Sequence, residues 1–269
     1  MTDPTNAPEP VGYAVAAGVA TITLQRPAAM NSLDVATKEA LRATLERAAA
    51  NDAVRAVLLT GTGRAFCVGQ DLREHVVALR ELPPGQVWAT VEKHYTPIAT
   101  ALTTMAKPVV AAVNGVAAGA GASLAFACDL RVVADTASFN TAFAGIGLSC
   151  DTGASWTLQR LVGYGRALDL LYRPRNVDAA EAERLGLASV VVPAERLLDE
   201  AGALARELAA GPTLAYAGIR ASLAYGATHG LAESLAFEAT QMARTGGSQD
   251  HRDAVDAFVA KQPPRFRGR

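Results

Sequence analysis

Cysteine is scarce in this chain, and so is net charge. Only Cys67, Cys128 and Cys150 occur in 269 residues, with no C-x-x-C pair, and the four histidines (His75, His94, His229, His251) show no H-x-x-x-H spacing. A disulfide framework and a zinc motif are both set aside, no metal site is expected, and a reducing cytoplasm is the expected compartment. Twenty-five Lys and Arg against 26 Asp and Glu leave a formal charge of −1. A nucleic-acid-binding domain would carry a basic excess, so no nucleic-acid partner is expected. The tail KQPPRFRGR (261–269) alone is locally basic and reads equally as a solvated terminus. The opening MTDPTNAPEP lacks the basic and apolar regions of a signal peptide and is expected to be a flexible lead-in over residues 1–10. No solenoid-length repeat and no low-complexity tract appears.

Apolar side chains are plentiful, at 50% of the chain, which is enough for a sizeable core. One stretch, KPVVAAVNGVAAGAGASLAFACD (107–129), has no charge between its end residues and approaches the length of a bilayer-crossing helix. A proline, a central asparagine, three glycines and few large aliphatic residues argue against a membrane span. A strand over 109–113, a glycine-rich turn and a helix over 122–128 fit it better.

The remaining pattern alternates in the same way. Residues 11–16 and 19–24 read as a hairpin turning at Gly18, and Asp34 as the cap of an amphipathic helix through Ala50. Residues 53–61 read as a buried strand, and 73–106 as two helical pieces broken at Pro83–Pro84. A strand follows over 129–135, helices over 153–171 and 178–185, and a strand over 187–193. The rest, to Lys261, is mostly helical. Helix–strand alternation followed by a helical tail predicts an α/β core with a helical C-terminal part.

Two features bear on chemistry, each with a packing alternative. GAGAS (119–123) at a helix start presents unpaired N–H groups that suit an anion or oxyanion, yet close helix–strand packing also calls for small residues. Asp151, ahead of the helix at 153, reads as an N-terminal cap.

GRAFCVGQDL (63–72) and KPVVAAVNGVAAGAGASLAFACDL (107–130) closely resemble the two signature segments of the enoyl-CoA hydratase/isomerase (crotonase) superfamily. RPAAMNSLD (26–34), SWTLQRLVG (155–163) and FVAKQPPRF (258–266) fit the same pattern, so the resemblance spans essentially the whole chain. GQDL, NGVAAGAG and GLSCDTGASW (147–156) are most similar to the family's isomerases of 1,2-epoxyphenylacetyl-CoA. The resemblance implies a crotonase-like spiral of ββα units over 11–200, and a C-terminal helical region over 201–269 that forms homotrimers or homohexamers. It also implies an acyl-CoA substrate, with coenzyme A present only as part of the thioester and no permanently bound cofactor.

Carried over by position, the two backbone N–H groups that cradle the thioester oxygen are those of Cys67 and Ala120. Hydratases of the family use two glutamates; here Ser123 and Phe143 stand at the matching positions, and neither is an acid or base. Isomerases of the family carry a single proton-shuttling carboxylate where this chain has Asp151. Coenzyme A contacts are implied for Ala28, Ala65, Gln70, Asp71 and Leu72, with Lys261 and Arg265 possible partners of its phosphates. His75, His94 and Tyr95 are weaker candidates for a substrate-facing wall, with surface or packing roles as the alternative. The expected activity is an acyl-CoA isomerase that shifts a double bond or rearranges an epoxide. An enoyl-CoA hydratase and a non-catalytic acyl-CoA-binding protein are the alternatives.

Overall fold

The computed structural model describes residues 9–269, so most of the lead-in expected over 1–10 lies outside the described residues. The chain opens with β1 (Val11–Ala16) and β2 (Val19–Leu24), an antiparallel hairpin whose turn residues Ala17 and Gly18 have φ of 50° and 77°. Helix α1 (Val35–Ala50) starts where Asp34 accepts from the Thr37 N–H, and it buries Leu41, Leu45 and Ala48. Strands β3 (Ala56–Gly61) and β4 (Ala65–Cys67) lead to α2 (Leu72–Glu81), α3 (Pro84–Val87), a π-helical turn over Val91–Tyr95, and α4 (Thr96–Thr104). Then come β5 (Val109–Val113), β6 (Val116–Ala118) and α5 (Ala120–Ala127), followed by β7 (Leu130–Ala134) and β8 (Ser138–Asn140). Helices α6 (Ala154–Val162) and α7 (Tyr164–Tyr172), strand β9 (Val177–Asp178), α8 (Ala179–Leu185) and β10 (Val190–Val192) complete the core. Four helices end the chain: α9 (Leu197–Ala210), α10 (Thr213–Gly226), α11 (Leu231–Gly246) and α12 (Gln249–Val259).

Two sheets share these strands. The first runs β1-β2-β3-β5-β7-β10 and is parallel from β2 onward; the second runs β4-β6-β8-β9. Each of β3, β5 and β7 is followed within a few residues by one short strand of the second sheet. This is the ββα spiral implied by the resemblance. Every residue of β5 is buried, as expected of a parallel strand covered on both faces.

Several boundaries differ from the sequence reading. The short strands β6, β8 and β9 were not anticipated, because two or three residues carry no readable period. The helix expected over 153–171 divides at Gly163, whose φ of 80° and ψ of 157° no helix accommodates. The strand expected over 187–193 shortens to β10, while Leu187 and Ala188 are buried in the preceding turn. The uncharged stretch 108–128 is β5, β6 and α5, and among the described residues no helix is long and apolar enough to cross a membrane.

Arg220 on α10 fastens the terminal helices to the core. Its guanidinium donates to the carbonyls of Leu102, Met105 (2.6 Å) and Lys107 (3.2 Å), and its Nε lies 2.9 Å from Asp129. Asp129 in turn accepts from the Val109 N–H at the head of β5 (2.8 Å). Burial pushes the Asp129 carboxyl pKa up, and Arg220 acts to lower it. Replacing Arg220 by Ala strands a carboxylate and three carbonyls. Urea unfolding is expected to show a loss of roughly 3 kcal/mol, part of which is recovered when Asp129→Asn removes the stranded charge.

Candidate active site

A cavity of about 180 Å³ opens where the second sheet meets the start of α5. The β4–α2 loop (Val68, Gly69, Gln70) forms one side and Gly119–Ala120 another. Phe143, Leu148 and Asp151 close it from the segment between β8 and α6, and Trp88, Val91 and Tyr95 from the π-helical region.

Three glycines bring the two loops together, each for its own reason. Gly121 touches the β4 strand: a Cβ there would lie 2.0 Å from the Cys67 carbonyl oxygen. Gly69 has φ of +83°, and a Cβ there would meet the Ala118 carbonyl at 2.9 Å and the Ala120 nitrogen at 3.2 Å. Gly119 faces open space but adopts φ 52°, ψ −124°, a conformation reserved for glycine. The packing and amide-presenting readings of GAGAS therefore both hold, at different residues. Ala120 begins α5, so its N–H has no intrahelical acceptor, and it finds none elsewhere among the described residues.

The partner amide is not the one expected. Cys67 is fully buried and does not line the cavity, its carbonyl is packed on Gly121, and burial pushes its thiol pKa up to about 12. Leu33 bridges the β4–α2 loop in parallel fashion, its N–H donating to Gly69 O (2.8 Å) and its carbonyl accepting from Asp71 N–H (3.1 Å). That pairing turns the Gln70 amide to the opposite side, where no described group accepts from it. On the two loops that these glycines bring together, Gln70 and Ala120 both line the cavity, and neither N–H has an acceptor among the described residues.

Asp151 does not cap α6. The cap position is Gly153, which makes no side-chain bond, and the Asp151 carboxylate instead accepts from Thr152 Oγ1 (2.8 Å). Thr152 and Gly153 both have positive φ, 54° and 78°. This double left-handed turn aims Asp151 into the cavity rather than along the helix. Burial pushes its carboxyl pKa up, against the Thr152 bond and the charge of Lys38. Among the described residues it is the only carboxyl group on the wall. The matching hydratase positions offer no substitute: Ser123 is buried and donates to Gly119 O (3.1 Å), and Phe143 presents a ring.

A polar cluster supports the wall. Tyr95 donates from its hydroxyl to Gln70 Oε1 (2.6 Å), which also accepts from Lys38 Nζ (3.1 Å). Lys38 donates in addition to Thr90 Oγ1 (2.9 Å). Burial, and then the charge of Asp151, push the Tyr95 phenol pKa up, so it remains a neutral donor. His94 is buried against Thr90 (2.9 Å), and its Nε2 has no hydrogen-bond partner among the described residues. Burial, Lys38 and Lys93 all lower its pKa. His75 does reach the wall, 5.4 Å from the Trp88 ring. Lys38 was missed by the sequence reading. Its signal was a charge on the apolar stripe of α1, three residues before Leu41 and seven before Leu45.

An open cleft of about 760 Å³ adjoins the cavity across Val68, Gln70 and Leu72, and it reaches Arg26, Ala28, Met30 and Arg64. Ala28, Gln70, Asp71 and Leu72 thus face one cleft. The Asp71 carboxylate is already engaged by Arg26 and Ser32 (both 3.0 Å) and by the amides of Arg73 and Glu74. Burial would raise its pKa, but these bonds outweigh it and hold the carboxyl low. Ala65 is a correction: it is fully buried outside the cleft, with its carbonyl taken by the side-chain amides of Asn31 (2.8 Å) and Asn114 (3.1 Å). Lys261 lies outside this chain's cleft as well. Its tail folds back so that Phe266 O accepts from Arg55 (2.8 Å) and Asp250 accepts from Arg267 and Gly268, at the end of β3 opposite Gly61.

The raised Asp151 pKa fixes the sign of one stability effect. The folded state holds this proton more tightly, so the group's contribution is present below the unfolded value of about 3.9 and is lost as pH rises through the folded value. At pH 7, Asp151→Asn is expected to melt at a higher temperature than the wild type in calorimetry. Gly69→Ala forces the two loops apart; turnover is expected to fall about 10²–10³-fold, with an unchanged far-ultraviolet circular dichroism spectrum.

The model of the family Enoyl-CoA hydratase/isomerase matches residues 14–269. A "Probable enoyl-CoA hydratase" of Rhodobacter capsulatus is 40% identical over 96% of this chain and 98% of its own length. A "1,2-epoxyphenylacetyl-CoA isomerase" of Escherichia coli is 39% identical over 94% and 96% respectively. A crystal structure from Mycobacterium abscessus, assigned as an enoyl-CoA hydratase/isomerase, superposes with a TM-score of 0.93 at 43% identity, covering 96% of this chain and all of that one. The chain belongs to the enoyl-CoA hydratase/isomerase family, whose members act on coenzyme A thioesters.

Proposed function

We propose that the protein is an acyl-CoA isomerase in which Asp151 is the acid and base and the N–H groups of Ala120 and Gln70 form the oxyanion hole. The observation that carries this reading is the single carboxyl group on the cavity wall, with serine and phenylalanine at the positions where a hydratase uses glutamates. The Asp151 carboxylate takes a proton from C2 of a 3-enoyl thioester. The C2–H electron pair forms the C1–C2 bond of a dienolate, and the thioester carbonyl electrons move to oxygen, where the two N–H groups stabilise them. The protonated Asp151 then delivers the proton to C4 as the dienolate collapses to the 2-enoyl thioester. Nothing is added or lost, so one carboxyl group suffices. Its raised pKa makes it a stronger base than an exposed aspartate.

The same proton transfer serves an epoxide on an aryl-acyl group, the substrate in the printed name of the Escherichia coli relative. A cavity of about 180 Å³ lined by Trp88, Tyr95 and Phe143 favours a compact or cyclic acyl group. Coenzyme A would lie along the backbone of Gln70–Leu72 and past Ala28. Lys261 and Arg265 could reach its phosphates only from a neighbouring subunit. Trimers, or pairs of trimers, are proposed from the exposed Leu231, Met242, Phe258 and Val259 of α11 and α12.

The name of the Rhodobacter capsulatus relative favours a second reading, hydration of an enoyl-CoA. Incubating the protein with enoyl- and aryl-CoA thioesters in D₂O, with product mass spectrometry, separates the two. Isomerisation accompanied by deuterium uptake is expected; a 3-hydroxyacyl product formed at comparable rate overturns the proposal. Asp151→Asn is expected to lower kcat about 10²–10⁴-fold while still binding the thioester in calorimetry. In the wild type, kcat/KM should fall on acidification at a pH above the ordinary aspartate range, because the base must be ionised.

A further inference from the structure

Helix α1 carries a cation into the floor of the active site. Lys38 is 1% exposed, yet it sits among Leu41, Leu45 and the other apolar residues of that helix. A methionine there would avoid the cost of desolvating an ammonium group. The partners of this ammonium show what it does. It donates to Gln70 Oε1 (3.1 Å) and Thr90 Oγ1 (2.9 Å), and it lies 5.4 Å from the centroid of the Tyr95 ring. All three of those residues are part of the wall that Asp151 faces. Glu74 Oε1, on the solvent side at 3.5 Å, is its nearest anion.

We infer that Lys38 is a positioning residue for the proton transfer: with Tyr95 it locks the Gln70 side chain, and so the Gln70 amide, against the cavity, and it supplies the positive field at the Asp151 carboxylate. The inference rests on the isomerase reading, in which Asp151 must be ionised to begin the reaction. The Gln70 carboxamide oxygen receives two donors, one neutral and one charged, so its loop cannot rotate without breaking both bonds. The same charge acts on Asp151. Besides Glu74, the titratable groups around this pair include His75, which lines the same wall beside Trp88. Asp34 and Asp71 are paired with Arg26, Tyr95 and Cys67 are held protonated, His94 is held neutral, and Lys93 is exposed to solvent near Glu39. Burial lowers the Lys38 pKa, while Glu74, Asp34 and Asp71 act to raise it.

The test follows the Asp151 carboxyl directly, by carbon-13 NMR titration of the substrate-free protein, beside the pH profile of kcat/KM. Lys38→Met is expected to move both the titration midpoint and the acid limb to higher pH and to lower kcat. Tyr95→Phe breaks only the neutral bond to Gln70; it should lower kcat and leave the midpoint in place. A purely structural Lys38 would leave the Asp151 midpoint where it is, and that result overturns the inference. Should Lys38→Met not fold, the titration of Lys38→Gln, which keeps a hydrogen-bonding group and removes the charge, decides in the same way, an unmoved midpoint again counting against it. If instead Asp151→Asn retains full proton exchange, the isomerase reading fails, and the substrate-free titration shows that failure to be separate.

Discussion

The active site depends on one close approach, that of the β4–α2 loop to the first turn of α5. Gly121 lets the Cys67 carbonyl come against the helix, and Gly69 lets the loop pass Ala118 and Ala120 at van der Waals distance. With those contacts, two backbone N–H groups from distant parts of the chain face one cavity. Backbone donors need no particular side chain, so the selective demand falls on the residues that must be absent. Each missing Cβ holds the geometry more firmly than a side-chain bond would, because close-packed backbone cannot yield without moving a strand.

The spiral sets this approach up. Each ββα unit places one strand in each sheet, so β4 and β6 become neighbours although fifty residues separate them in the chain. The second sheet then points its loops at the helix that follows β6. The C-terminal helices are held to the same body by Arg220, whose bonds end at the α4–β5 connection and at Asp129. Two of the cavity's polar side chains are carried on irregular backbone: a double left-handed turn after β8 aims Asp151 inward, and the π-helical turn brings Tyr95 to Gln70. Irregular backbone of this kind is where functional groups often gather.

Much of the fold was legible in the sequence. The long buried strands β3 and β5, the capped helix α1 and the helical tail follow from apolar period, cap residues and glycine position. The short strands of the second sheet were invisible, since two or three residues have no period and their pairing is decided by partners far away in the chain. Of the expected site residues, Ala120, Asp151, Gln70, Leu72, Asp71 and Ala28 lie on the cavity or its adjoining cleft. Cys67 and Ala65 are buried behind that surface, because alternate residues of a strand face opposite ways and a placement three residues off changes the face.

The sequence by itself determined the family, through its two glycine-rich segments, and the absence of the two hydratase carboxylates, because Ser123 and Phe143 stand at their positions. Tertiary structure decided the rest. Whether an amide is free depends on which carbonyls lie near it, and only the Leu33 bridge shows that Gln70 is left over. Whether an aspartate caps a helix or faces a cavity depends on two φ angles, which residue names do not reveal at Thr152. A lysine on an apolar stripe acquires meaning only when the fold brings Gln70 and Thr90 to its ammonium, since a charge is tolerated in a core only where partners from elsewhere replace water.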